Sequence, residues 1–106
     1  MRKSDIEPER TSRPPDGSKV IMDTEMQNQG FVVSRIELRR YVERTDEQLG
    51  DYSLLTVLVE TDKGSVEMKY DEGFRGPDAL ESAATMLTRY VGLASLINRA
   101  LIELQG

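Results

Sequence analysis

An α+β fold is what this sequence predicts: four antiparallel strands in a meander, then one long or two short C-terminal helices on one face of the sheet, ββββα(α). Three observations lead there. Segments between residues 19 and 70 repeat apolar side chains at a period of two, as half-buried strands do. Turn-forming Gly, Asn and Asp residues separate those segments. From Asp78 to Leu104 the period becomes helical, with no proline after Pro77. Strands first and helix last is the order of an α+β domain, in which helices segregate to one face of an antiparallel sheet.

Residues 1 to 18 scatter Pro8, Pro14, Pro15 and Gly17 among charges, and Ile6 is the one large aliphatic after Met1. Such a segment buries too little to order itself, so a disordered tail is expected, with residues 19–106 forming a single domain. From Lys19, Val20, Met22, Thr24 and Met26 share one face, with Asp23 and Glu25 on the other. Gln27-Asn28-Gln29-Gly30 supplies a turn, Asn28 and Gly30 being suited to positive φ. Phe31 to Arg44 then sets Val32, Ser34, Ile36, Leu38 and Val42 against Val33, Arg35, Glu37, Arg39, Tyr41 and Glu43. A helix would scatter these residues, whereas a strand separates them. Thr45 to Asp51 is a polar connection. Tyr52 to Thr61 is apolar on both faces, Leu55, Val57 and Val59 against Leu54 and Leu58, which marks a central strand. Asp62-Lys63-Gly64 makes a hairpin, after which Val66, Met68 and Tyr70 alternate with Ser65, Glu67 and Lys69. Residues 71–77 form a loop into the helix.

The helical stretch opens with Asp78 and, three residues on, Glu81, a capping-box spacing behind Pro77. Leu80, Ala83, Ala84, Leu87, Tyr90, Val91 and Ala94 share one side. Beyond Gly92 a second stripe, Leu93, Leu96, Ile97, Ala100, Leu101 and Leu104, is turned by roughly 100° from the first. A glycine inside a helix costs about 1 kcal/mol relative to alanine, so a bend or break is expected at Gly92. A stripe that turns cannot face one flat layer along its whole length. The expectation is that Leu93, Leu96, Ile97, Ala100, Leu101 and Leu104 face a second copy of the chain, making a homodimer. The plainer alternative is that the chain's own core uses them up.

The chain has 106 residues, a formal net charge of −5, and no cysteine, histidine or tryptophan. That length buries a core without metal or disulfide. Lack of cysteine excludes disulfides, thiolate zinc sites and a cysteine nucleophile. Lack of histidine removes the commonest metal ligand and the usual general base near neutral pH. Ser65 and Ser82 therefore have no histidine to activate them. Asp71, Glu72 and Asp78 bracket a glycine-containing loop without the spacing of a calcium loop. No Lys-Ser/Thr pair follows Gly76, so that loop does not cradle phosphate. No apolar run approaches the ~20 residues that cross a bilayer. The first seven residues lack the apolar core of a secretory signal. A cytoplasmic, non-enzymatic protein with no metal or cofactor is the expectation.

Two surfaces are candidates for a partner. The sheet face away from the helix carries Arg35, Arg39 and Tyr41 beside Leu54 and Leu58, the residue types enriched at binding hot spots. The connecting loops carry Asp46, Glu47, Asp51, Asp71 and Glu72, which with Glu43 and Asp62 could occupy a basic nucleic-acid site on a larger machine, although acidic loops also serve plain solubility. The functional expectation is a small acidic protein-interaction module, an accessory factor or inhibitor, binding another protein and itself. The alternative is a single-stranded nucleic-acid-binding domain using the arginine-rich strand 35–44, with Arg40 and Arg44 joining Arg35 and Arg39 around Tyr41. Glu37 and Glu43 interrupt that cluster. The first 19 residues hold five basic and four acidic side chains, which leaves nine basic and fifteen acidic for the rest. A folded part of that sign does not attract nucleic acid through its mean field, so nucleic acid is the weaker reading.

Overall fold

The computed structural model describes residues 14–48, 50–70 and 78–106, with the backbone alone described at Asp46 and Asp51. Among the described residues five strands come first: β1 (Gly17–Met22), β2 (Met26–Asn28), β3 (Phe31–Asp46), β4 (Gly50–Thr61) and β5 (Gly64–Lys69). Two helices follow, α1 (Ala79–Leu87) and α2 (Tyr90–Gln105). The sheet is antiparallel in the order β1-β3-β4-β5. β2 pairs with the start of β3 on the side that β4 leaves free, so β1 and β2 act as one interrupted edge strand. The α+β architecture is therefore as the periodicities predict. β1 begins at Gly17, inside the segment expected to be tail, and residues 1–13 lie outside the described residues.

Two register shifts decide which side chains reach the core. In β1, Val20 pairs with Glu37 and Met22 with Ile36, so Ile21 is an inserted residue. A bulge moves the next side chain to the other face. Val20 and Met22, expected on one face, are thus separated: Val20 is exposed and Met22 packs on the core. In β3, Val33 pairs with Thr61 and Arg35 with Glu60, so Ser34 is inserted. Phe31 and Val33 therefore join Ile36 and Leu38 instead of the Arg35 side. Leu55, Val57 and Val59 of β4 and Met68 of β5 complete the apolar layer. Gln29 (φ 52) and Gly30 (φ 84) form the two-residue β2–β3 turn, while Asn28, expected to take positive φ, pairs with Phe31. Positive φ at both central residues gives a turn whose twist matches that of the flanking strands.

The C-terminal stretch is two helices, and the break is not at Gly92. Thr88 is still helical, but Arg89 is extended (φ −70, ψ 144). Asp78 makes no side-chain cap hydrogen bond, so the expected capping box does not form. Glu81 instead pairs with Lys19 Nζ of β1 at 2.9 Å, tying α1 to the sheet edge. Gly92 has a different role. A Cβ there would stand 3.0 Å from the Met86 carbonyl oxygen, so glycine lets the first turn of α2 lie close against the end of α1.

The break gives each helix its own direction, and each lays its stripe on the sheet. α1 buries Ala79, Ala83, Ala84 and Leu87; α2 buries Leu96, Ile97, Ala100 and Leu101. Leu93 and Leu104 are partly buried against the same core. This corrects the expectation that Leu93, Leu96, Ile97, Ala100, Leu101 and Leu104 face a second copy. The turn between the two stripes is taken up by the change of direction at Arg89, so one sheet covers both. No described helix is long and apolar enough to cross a membrane.

Gly92→Ala should test the close approach of the helices. Alanine propensity alone would stabilise by about 1 kcal/mol. Because the neighbour is backbone, crowding outweighs that gain, and the variant should unfold at a lower urea midpoint than the parent. A raised midpoint would show that the helices have room to spare.

Candidate functional site

The face of the sheet opposite the helices is assembled by register. Glu37, Leu58 and Glu67 stand in one row across β3, β4 and β5. Arg39, Thr56 and Lys69 form the next row, and Tyr41 pairs with Leu54. Arg35, Arg39, Tyr41, Leu54 and Leu58 do share this face, as the alternation predicts.

They do not form an exposed contact surface. Tyr41 is 0% exposed, Thr56 3% and Glu37 8%, while Leu54 and Leu58 are half-buried. Tyr41 is thus corrected from surface contact to network member. Its hydroxyl donates to Glu67 Oε2 at 3.0 Å, and Thr56 Oγ1 donates to the same oxygen at 2.5 Å. Arg39 Nη1 donates to Glu67 Oε1 at 3.2 Å, and Arg39 Nε to Glu37 Oε2 at 3.4 Å. Arg35 Nη2 donates to Glu37 Oε1 at 3.0 Å. Two guanidinium groups and two carboxylates alternate, so the patch is close to neutral.

The electrostatics follow from that arrangement. Burial would raise the Glu37 carboxyl, but the Arg35 hydrogen bond, the Arg39 charge and a Ser18 hydrogen bond outweigh it and hold the carboxyl below its ordinary value. Burial, then the bond to Glu67, pushes the Tyr41 phenol above its ordinary value. For Arg39, burial acts to lower the value, yet the bond with Tyr41 and the charges of Glu67 and Glu37 raise it overall. Arg39 remains a cation, and its charge is spent inside the network.

The arginine cluster does not survive as one basic patch. Arg40 pairs with Leu55, a core residue, so it lies on the other face from Arg39, and its Nε donates to Ser53 Oγ at 3.1 Å. The Arg44 guanidinium lies 4.4 Å above the centre of the Tyr52 ring, beyond a second bulge between Val42 and Arg44.

The acidic candidates are dispersed. Glu47 is exposed in the β3–β4 turn, and Asp46 and Asp51 stand at its base. Asp71 and Glu72 lie outside the described residues. Asp62 is committed locally: its Oδ1 accepts the Val32 N–H at 2.9 Å, which holds the carboxyl below its ordinary value. Lys63 Nζ donates to the Gly30 carbonyl at 2.8 Å, joining the two hairpin turns. Among the described residues no group of three His, Cys, Asp or Glu could hold a metal ion.

Glu67 is the network residue that sequence reading passed over, because on a short alternating strand it reads as ordinary solvated charge. Its signal lies across the sheet, in the diagonal from Arg39 over Thr56 to β5. The exposed apolar residues lie elsewhere. Among the described residues six large ones are exposed, and four of them, Met86, Tyr90, Val91 and Ile102, are on or between the helices.

The low value of the Glu37 carboxyl makes stability depend on acid. A carboxyl held lower in the folded than in the unfolded chain contributes stability above the unfolded value, about pH 4.3, and that stability is lost as pH falls through the folded value. Glu37→Gln should therefore lower stability at pH 7 by roughly 1–2 kcal/mol. It should also flatten the decline in denaturation midpoint between about pH 5 and pH 3. An unchanged slope would show that Glu37 is not held this way.

Comparison with protein-family models, with curated proteins and with solved structures finds no match for this chain.

Proposed function

We propose that this chain is a small non-enzymatic protein-interaction module that meets its partner through the outer side of α1 and α2. One observation carries the reading: among the described residues, four of the six large apolar side chains left exposed are on or between the helices, at Met86, Tyr90, Val91 and Ile102. They remain after the sheet has been covered and the core completed, so folding does not call for them there. Large apolar side chains left exposed are what an interface uses, and tyrosine is enriched at hot spots.

The sheet face supports the reading by contrast. A nucleic-acid phosphate seeking Arg35 or Arg39 would have to displace Glu37 and Glu67 from them. That weakens the single-stranded nucleic-acid alternative. The idea of an inhibitor that occupies a basic site rests on exposed Glu43 and Glu47 and on the net charge of −5, and is secondary to the helical surface.

Affinity capture from extracts of the source cell tests the surface. Bait carrying Tyr90→Asp and Val91→Asp should lose a set of proteins that the wild-type chain and a Glu43→Lys, Glu47→Lys bait both retain. The same set captured by every bait would contradict the proposal. In a mobility shift with single-stranded oligonucleotides, no complex is expected even at low salt. Tight binding that weakens with salt would favour the nucleic-acid alternative.

A further inference from the structure

We infer that the free edge of β5 is a strand-addition site. It takes an extended segment of another protein, antiparallel to β5, with apolar side chains toward α2 and an acidic one beside Lys69. The inference goes beyond the helical surface proposed above and does not depend on it.

Two hydrogen bonds fix the direction of the backbone groups along β5. The Tyr70 N–H donates to the Leu55 carbonyl at 2.8 Å, so residue 70 points toward β4. In an antiparallel ladder successive residues turn their N–H and C=O groups to alternate sides. Val66 and Met68, opposite Val59 and Val57, therefore point toward β4, and Ser65, Glu67 and Lys69 point away from it. The Lys69 carbonyl agrees with this, since it accepts from Arg99 Nη2 of α2 at 3.1 Å. β5 ends the strand order, so among the described strands none pairs with its outer side. A row of backbone donors and acceptors at every second residue is matched by one kind of occupant, another extended chain. The opposite edge of the sheet offers no such regular row, because β1 carries the bulge at Ile21 and ends before β2 begins.

α2 decides between a second copy and a bare segment. It packs on β5. Arg99 reaches the outward carbonyl of Lys69, and Leu104 Cδ2 lies 3.6 Å from where a Cβ on Gly64 would stand. Two copies joined antiparallel through β5 would set those strands about 4.8 Å apart, with both α2 helices on the same face. Helices packed side by side need about 8–10 Å between their axes. The two α2 helices would collide, whereas a bare strand brings no helix with it.

The side chains of β5 set the sequence that the edge accepts. Residues of the added strand opposite Val66 and Met68 turn to the helix side. Val66 is only partly buried there, and an apolar neighbour completes its cover. Residues opposite Ser65, Glu67 and Lys69 turn to the other side. The Glu67 carboxylate is already bonded to Arg39, Tyr41 and Thr56. Lys69 is exposed and takes part in none of the salt bridges among the described residues. Opposite charges attract when they face each other across a strand pair. The segment therefore alternates apolar with polar residues and places Asp or Glu opposite Lys69.

Amide hydrogen exchange of the full chain, followed by NMR, reads the edge residue by residue. In the chain alone, Ser65 and Glu67 should exchange fast while Val66 and Met68 are protected. Equal protection at all four would overturn the inference, because the edge would already be filled, by this chain or, if protection grows with concentration, by a second copy. The probe is an acetylated and amidated hexapeptide, glutamate-valine-threonine-valine-threonine-valine, whose glutamate falls opposite Lys69 in the antiparallel register. At about ten times its dissociation constant, exchange at Ser65, Glu67 and Lys69 should slow by about tenfold, with Val66 and Met68 unchanged. The same peptide methylated on its two threonine nitrogens should not bind, since those N–H groups face β5. No slowing at millimolar peptide, or equal binding of the methylated form, would overturn the site. Lys69→Glu should weaken binding of the unmethylated peptide several-fold, and an unchanged affinity would overturn the acidic position.

Discussion

One apolar side of the long β3–β4 ladder requires a cover, and the rest of the chain is arranged to supply it. Phe31, Val33, Ile36, Leu38, Leu55, Val57 and Val59 are all buried on that side. Their exposure to water would cost about 25 cal/mol for each Å² of apolar surface. The cover is α1 and α2, and one straight helix could not provide it, because its apolar stripe turns partway along. The extended residue Arg89 resolves that conflict by letting the chain change direction between the stripes. Gly92 then permits the two helices to meet closely.

The other side of the ladder is held by charge. Glu67 and Glu37 receive donors from Arg35, Arg39, Tyr41 and Thr56, which joins β3, β4 and β5 through side chains as well as backbone. Partly buried ion pairs of this kind add little net stability over apolar replacements, yet removing one partner leaves a charge without compensation. The network therefore penalises a slipped register, since a shift of one residue would send Arg39 and Tyr41 into the apolar layer. It also explains why a strand rich in arginine does not present a basic surface.

The fold class was legible because period two and period 3.6 are written directly in the side-chain pattern. The Arg35, Arg39, Tyr41, Leu54 and Leu58 face was legible for the same reason. The bulges at Ile21 and Ser34 were not, because an inserted residue has no marker of its own when neither glycine nor proline occupies it. They moved Val33 into the core and Val20 out of it. Helix propensity points to a break at Gly92, the weakest helix former, but the break falls at Arg89, where packing on the sheet and not propensity decides. A single continuous helix would carry Leu96 and its neighbours away from the sheet, whereas with the break they are buried and Val91 and Ile102 are left outside. Tyr41 and Glu67 could not be joined from sequence, since they meet only through the register of three strands.

The second stripe belongs to this chain's own core, and Leu96, 3% exposed, is its most direct probe. Leu96→Asp places a carboxylate in the buried apolar core, and should lower stability by about 4 kcal/mol or more. In urea denaturation followed by circular dichroism, the cooperative transition should be lost, with sheet and helix signals falling together. A Leu96→Asp variant that unfolds at the parental midpoint would contradict it, and would place Leu96 at a surface between molecules.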